Sequence, residues 1–285
     1  MQGFLGEKIG EGMSSDVHAW AAGQAVKLFK AGVPRWIVRH EARMTRAAFA
    51  AGLPAPEVFG DVALEGRFGI VLSRLDGPTL LHLSRTGAMT SQEVGTILAT
   101  LAMTVHRTPP PAEVMLLRDW MGHALRGSGD RVPAHIATGI LTLIERLPPG
   151  DVLCHCDLHP GNVIMTADGP RLVDWSGAVR APAALDLAAC HIILAEITPE
   201  HVEDPERPRA YHAVLQSAYA QLAGLSLAAL TASVQRHLPI VCVSILLGDV
   251  WPSQRAQLIQ RVEGALRLEG DHALIQARDP FKLNP

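Results

Sequence analysis

The sequence predicts an α+β fold: a strand-rich first quarter carrying one helix, followed by a longer, mainly helical stretch. Three observations carry this. Before Asp76 the apolar residues fall in short runs separated by glycine-containing turns, the pattern of strands. From Thr79 onward they recur at three- and four-residue steps, the pattern of amphipathic helices. Inside the helical part lies one exception, a pair of short apolar runs flanking Thr166-Ala167-Asp168-Gly169-Pro170, which reads as a hairpin. A chain of 285 residues can bury a large core, as one two-lobed unit or two small domains.

In the first quarter, Gly3 to Ile9, Val17 to Trp20 and Gln24 to Phe29 are predicted strands. Between the first two lies Gly10-Glu11-Gly12-Met13-Ser14-Ser15-Asp16-Val17. Glycines permit close backbone approach, so the amides of such a loop can face an anion, although an ordinary hairpin turn has the same composition. On the third strand, alternation puts Ala25 and Lys27 on the face opposite Val26. A helix is predicted from Pro34, at its first turn, to about Ala50, with Ile37, Glu41, Met44 and Ala48 on or near one face. A glutamate on that face needs a cation, and from the helix alone a neighbour such as His40, or the solvent flanking Arg43, is the candidate. Gly52 to Pro56 ends the helix. Val58 to Leu64 and Phe68 to Leu72 form a second hairpin around Glu65-Gly66-Arg67.

In the longer part, Thr90 and Glu93 fit a capping box, and Val94, Ile97, Leu98, Leu101 and Val105 mark the buried face of a helix ending near His106. Further helices are predicted over Arg118 to Leu125, His135 to Leu147, and from His191 to Leu268 with breaks at Pro199, Pro205, Pro239 and Pro252.

Bulk composition excludes several functions. With 25 basic and 28 acidic residues the net charge is −3, which gives no electrostatic case for a nucleic-acid partner. The four cysteines show no framework spacing, and Met1 to Gly12 lacks the apolar core of a signal peptide, so a reduced cytoplasm is expected. The apolar stretch near Leu238–Leu247 contains a proline and is far shorter than the ~20 residues that span a bilayer, so no membrane partner is expected. Oligomeric state leaves no signature in the sequence.

The chemistry concentrates at His155-Cys156-Asp157-Leu158-His159-Pro160-Gly161-Asn162, with Asp174 further along the hairpin. Pairing outward from a five-residue loop sets Met165 opposite Arg171, Ile164 opposite Leu172, Val163 opposite Val173, and Asn162 opposite Asp174. Opposed side chains lie roughly 5 Å apart at Cβ, close enough for two oxygen ligands to share one Mg²⁺. Cys154, His155, Cys156 and His159 invite a zinc reading, but no second, separated ligand pair accompanies them.

His155-x-Asp157-x-x-x-x-Asn162 resembles the kinase catalytic loop, and Asp174-Trp175-Ser176 stands where D-F-G stands in protein kinases. The fuller form, His-x-Asp-Leu-His-Pro-Gly-Asn with Val-Asp-Trp following, resembles the aminoglycoside phosphotransferase and choline kinase-like family. Ala184-Leu185-Asp186-Leu187-Ala188 matches that family's Asp-Leu-Ala element, and Cys156 replaces its usual glycine. The resemblance implies a two-lobed protein kinase-like fold, with a nucleotide-binding lobe over residues 1–76 and a catalytic and acceptor-binding lobe over 77–285. It implies ATP and Mg²⁺ as cofactors and a small-molecule hydroxyl as acceptor. Asp157 would orient that hydroxyl and accept its proton, Asn162 and Asp174 would carry Mg²⁺, His155 would brace the loop, and Asp186 would cap it.

By the same resemblance Gly10 and Gly12 would cover the nucleotide phosphates, with Ser15 in place of the third glycine and the Ser14 and Ser15 hydroxyls as donors. Ala25 would leave room for adenine, Lys27 paired with Glu41 would reach the α- and β-phosphates, and main-chain groups of Ser73 and Leu75 would meet the adenine edge. Ser176 to Pro182 is too short to resemble a protein-kinase activation loop. The alternative is a kinase-like nucleotide-binding protein without turnover; the presence of Lys27, Glu41, Asp157, Asn162 and Asp174 together argues against such decay. From Ala181 to Pro285 there are 11 acidic and 8 basic residues, too slight an excess to specify a cationic acceptor. The ending Phe281 to Pro285 lacks the acidic, aromatic terminus of the 3′-modifying aminoglycoside enzymes.

Overall fold

The alternation of the first quarter is realised in five antiparallel strands: β1 (Lys8–Glu11), β2 (Ser15–Ala19), β3 (Gln24–Phe29), β4 (Val58–Leu64) and β5 (Arg67–Ser73), in the order β1-β2-β3-β5-β4. The computed structural model describes residues 5–148, 150–248 and 252–271. Gly3 and the Phe281 to Pro285 ending therefore lie outside the described residues. The chain divides into two compact units, one of residues 1–90, 111–114 and 159–178, the other of 91–110, 115–158 and 179–285.

In the first unit, β1 begins later than predicted and runs through Gly10 and Glu11, with a register irregularity between Lys8 and Gly10. Because β2 already starts at Ser15, the glycine-rich turn shrinks to Gly12-Met13-Ser14, closed by the Gly12 amide donating to Ser15 O at 2.8 Å. The β4–β5 hairpin turns on two residues, Glu65 and Gly66, both at positive φ (49° and 76°), as a type I′ turn demands.

Helix α1 (Arg35–Ala50) starts one residue after Pro34. It lays Val38 and Ala42 against Phe29 and Ile70 of the sheet, a cluster with every member under 6% exposed. A fully buried aliphatic or aromatic side chain of this kind contributes about 1.5–3 kcal/mol. The buried seam runs through Val38, Glu41, Ala42, Met44, Thr45 and Ala48, leaving Ile37 only half-buried.

The unit also contains α2 (Leu80–Arg85), with Thr79 capping its first turn, and a second hairpin. Strand β6 (Val152–Cys154) precedes that hairpin in sequence but belongs to the second unit. The hairpin itself is β7 (Val163–Thr166) and β8 (Gly169–Leu172), and its register differs from the sequence-based pairing. Val163 faces Leu172, Ile164 faces Arg171, Met165 faces Pro170, and Thr166 faces Gly169. Gly169 at φ 104° joins the ladder, so the loop is Ala167-Asp168 and every partner shifts by one. Asn162 consequently lies opposite Val173, whose amide donates to Asn162 O at 2.9 Å, and not opposite Asp174. Gly77 (φ 155°) passes so close that a Cβ there would sit 2.0 Å from Met165 O. The neighbouring Met165 amide bonds to Pro78 O at 2.9 Å.

The second unit pairs β6 with β9 (Val179–Ala181) and is otherwise built from helices. These are α3 (Ser91–Arg107), α4 (Leu117–Arg126), α5 (Ala134–Arg146), α6 (Ala183–His191), α7 (Glu206–Ala223), α8 (Leu227–Gly248) and α9 (Arg255–Asp271). Pro205 stands immediately before α7, as a helix start tolerates. Pro239, read as a break, lies inside α8. Residues 237–243 of that helix are all buried, and the burial outweighs the ~3 kcal/mol a mid-helix proline costs. By length and composition α8 could cross a membrane, but 67% of its apolar window is buried within the protein, as in a core helix.

Candidate active site

Three charged side chains from distant parts of the chain meet in the first unit. Strand β3 and helix α1 set Lys27 Nζ 2.6 Å from Glu41 Oε1, so the glutamate's cation is Lys27 rather than His40. The same ammonium lies 3.1 Å from Asp174 Oδ2, while the Ser176 hydroxyl donates to Asp174 Oδ1 at 2.8 Å. Lys27 and Glu41 are buried, at 9% and 4% exposure. Asp174 is more open, its side chain 29% exposed.

Burial works against the Lys27 ammonium, but the charges of Asp174 and Glu41 outweigh it and hold the pKa above the ordinary lysine value. Burial, reinforced by Asp174, pushes the Glu41 carboxyl up to about 7 against the pull of Lys27. One cation between two carboxylates leaves a net negative charge when all three are ionised. An added cation would relieve it. Asp174 accepts from Lys27 and Ser176, and its side chain stays 29% exposed, so a hard metal ion can reach the carboxylate. Its carboxylate and the Asn162 amide oxygen are the donor chemistry that Mg²⁺ prefers. Asp174 holds the left-handed conformation (φ 64°, ψ 67°), which costs a non-glycine residue about 1–3 kcal/mol and recurs at functional sites.

In the second unit the segment leading to Asp157 is held from behind by Asp186 on α6. Asp186 Oδ1 accepts from the Cys156 amide at 2.6 Å, and Oδ2 accepts from the His155 amide at 3.2 Å. His106 Nε2 on α3 contacts the same Oδ2 at 2.9 Å, and its Nδ1 lies 2.7 Å from the Tyr219 hydroxyl on α7. Burial tends to raise the Asp186 carboxyl, but His106 and the loop groups hold it below the ordinary carboxylate value. His155 is fully buried and its Nδ1 accepts the Asp157 amide at 3.2 Å. Cys156, where the resemblance implies glycine, has φ 63°. Its amide bond to Asp186 offsets part of the strain.

Lys27, Glu41 and Asp174 are thus brought together in one unit, and Asp157 is braced in the other. Ser15 is buried at 3% exposure and pairs with Phe29 in the sheet, so of the two serines Ser14 is the more open at the turn. The Ser73 amide is taken by Glu57 O at 2.9 Å, which leaves its carbonyl as the group able to meet a ligand. The zinc reading of Cys154, His155, Cys156 and His159 finds three of these side chains otherwise directed. The Cys154 thiol faces Ala181 O and Pro182 O, His155 serves Asp157, and His159 Nδ1 accepts the Gly161 amide. His106, Cys154 and Asp186 do place one ligand atom each within 4.8 Å of one another, but Asp186 is already committed to the loop amides. Sequence reasoning missed His106 and Tyr219. The available signal was His106 continuing the buried face of α3.

The fold has solved counterparts. A protein from Haemophilus somnus 129PT assigned as a fructosamine-3-kinase superposes with TM-score 0.59 at 13% identity, over 93% of this chain and 92% of that one. Choline kinase from Cryptosporidium parvum Iowa II gives 0.56 at 14%, over 94% and 90%. Aminoglycoside phosphotransferase APH(2'')-Ib, solved with ADP bound, gives 0.53 at 15%, over 92% and 93%. At these identities the likeness establishes the fold, which is protein kinase-like. No curated protein sequence matches. The model of the phosphotransferase enzyme family APH matches residues 8–225, and the chain belongs to that family.

Proposed function

We propose that this protein is an ATP- and Mg²⁺-dependent O-phosphotransferase acting on a hydroxyl of a small molecule such as an aminoglycoside-like antibiotic, an amino alcohol or a sugar. The observation that carries this reading is the buried Lys27 held between Glu41 and Asp174. A buried ammonium with two carboxylate partners can keep one and offer its remaining hydrogens to phosphate oxygens. The relatives' substrates, fructosamine, choline and aminoglycosides, support the acceptor class, and the ADP-bound relative supports the nucleotide.

In this reading Glu41 fixes Lys27 against the α- and β-phosphates, and the Gly10 and Gly12 backbone with Ser14 and Ser15 lies over the phosphate chain. Ala25 gives the adenine space, and the Ser73 carbonyl and Leu75 main chain meet its edge. Asn162 and Asp174 hold Mg²⁺, which when bound neutralises charge on the transferring phosphoryl group. Asp157 accepts a hydrogen bond from the acceptor hydroxyl, aligns it and takes its proton as the new P–O bond forms and the bond from the γ-phosphorus to the β,γ-bridging oxygen breaks, releasing ADP. Asp186 and His155 keep the loop fixed so that this alignment is prepaid. All four cysteines are free, as suits a reducing compartment, and the cytoplasm is the proposed location.

The test is ADP release from Mg-ATP across aminoglycosides, macrolides, amino alcohols and sugars. One acceptor class raising turnover supports the reading. Thermal stabilisation by Mg-ATP without ADP release on any acceptor favours the non-catalytic alternative, and absence of both overturns nucleotide binding itself.

A further inference from the structure

Beyond α6 the backbone leaves the α-helical ladder and makes a π turn over Ile192–Ile197, a geometry that occurs mostly as single turns at functional sites. The turn carries Glu196 and follows directly on His191. Across from them α7 presents His212 and Gln216, one helical turn apart on one face. His191 Nδ1 lies 3.2 Å from His212 Nε2, and the Gln216 side-chain amide reaches that same His212 nitrogen at 3.0 Å. The other nitrogen of His191, Nε2, is 2.9 Å from Glu196 Oε1, and Arg261 pairs with Glu196 Oε2.

Counting hydrogens shows that these contacts compete. A ring nitrogen carries either one hydrogen or one lone pair, so His212 Nε2 has a single function for two neighbours. With His191 Nε2–H donating to Glu196, a neutral His191 presents a lone pair at Nδ1. Rotating the Gln216 amide by half a turn presents its oxygen in place of its nitrogen. The His191 and Gln216 lone pairs then lie 3.2 and 3.0 Å from that of His212 Nε2. A tetrahedral ion with metal–nitrogen bonds of about 2.0–2.1 Å sets its ligand atoms roughly 3.3 Å apart. The carboxylate behind His191 is the partner a ligating histidine ordinarily has, fixing its tautomer and ring orientation. Side-chain exposures of 19% for His191 and 33% for Glu196 leave solvent a path to the cluster.

We propose that His191 Nδ1, His212 Nε2 and the Gln216 amide oxygen bind a divalent transition ion of the zinc class, with a fourth position open to water. Imidazole nitrogen selects zinc, nickel or copper over magnesium, so this site is chemically distinct from the Mg²⁺ that phosphoryl transfer requires. The ion ties the π turn to α7.

The test uses the full chain without an affinity tag, stripped with a chelator and titrated with Zn²⁺ by calorimetry and with Co²⁺ by visible absorption. About one equivalent should bind, with the Co²⁺ bands of a four-coordinate nitrogen and oxygen site. Glu196→Gln should weaken binding about 10–100-fold, as loss of an outer-shell partner does, and His212→Ala should weaken it further. Cys154→Ser should leave it unchanged, which separates this site from the His106, Cys154 and Asp186 group. No binding in molar excess, or equal affinity in His191→Ala and His212→Ala, overturns the proposal. Should the alanine variants fail to fold, X-ray absorption of the zinc-loaded parent decides: two imidazoles support it, and fewer than two, or a thiolate, overturn it.

Discussion

Two carboxylates, Asp186 and Asp174, are treated in opposite ways. Asp186, at 1% exposure, is spent on fixed partners: two backbone amides and a histidine that is itself anchored by Tyr219. Asp174 is more open, and its bonds to the Lys27 ammonium and the Ser176 hydroxyl join it to side-chain groups that can turn elsewhere. A satisfied carboxylate holds backbone in place. A carboxylate beside a shared cation has an excess of negative charge and can exchange partners when ligands arrive. The first arrangement fixes backbone and the second leaves a carboxylate able to change partners, although both cost desolvation.

The largest effect should come from breaking the backbone-fixing side. Asp186→Ala leaves the His155 and Cys156 amides and His106 without their acceptor, so it should cost about 3–5 kcal/mol in urea unfolding. A loss under about 1 kcal/mol would erase the distinction drawn between the two carboxylates. Tyr219→Phe removes one partner of a buried ring nitrogen and should cost about 1–3 kcal/mol by the same measurement.

The side able to change partners should behave differently. Replacing both members of its buried pair, Lys27→Met with Glu41→Leu, should leave stability nearly unchanged or raise it by up to about 4 kcal/mol, while nucleotide-dependent turnover disappears. Strong destabilisation with activity retained would invert the comparison.

Acidity offers a graded probe. The Asp186 carboxyl is held below its ordinary value, so the unfolded chain binds its proton first as pH falls. The stability it contributes is complete above about pH 4 and is lost as pH falls further, through the folded pKa. Asp186→Asn should flatten that acid limb of the unfolding curve relative to the parent; an unchanged limb would remove Asp186 as its source. The smallest effect is Cys156→Gly. Relief of left-handed strain and the added freedom of the unfolded chain nearly cancel, so a change within about 1 kcal/mol is expected from thermal unfolding.

Much of this was legible in the sequence because the signals are local. The spacing of His155, Asp157, Asn162 and Asp174 lies within twenty residues, and the family resemblance, over a helix that follows the Lys27 strand, names Lys27 as the partner of Glu41. The hairpin register was not legible, because Asp168-Gly169-Pro170 looks like loop by composition. Whether Gly169 pairs is set by a backbone angle of φ 104°. His106 and Tyr219 were missed for a different reason. Their contact spans 113 positions, and no periodicity within a single helix specifies its partner. Pro239 shows local propensity overruled by burial of the stretch around it, residues 237–243 of α8.

The central claim, that Asp157 steers an acceptor hydroxyl toward bound ATP, is tested most directly by Asp157→Asn. Nucleotide affinity and turnover should be measured on the same preparation, with an acceptor that the parent protein phosphorylates. The account predicts unchanged Mg-ATP affinity with turnover lowered about 10²–10⁴-fold, the usual worth of a positioned general base. A variant that binds Mg-ATP and keeps most of its turnover would contradict it.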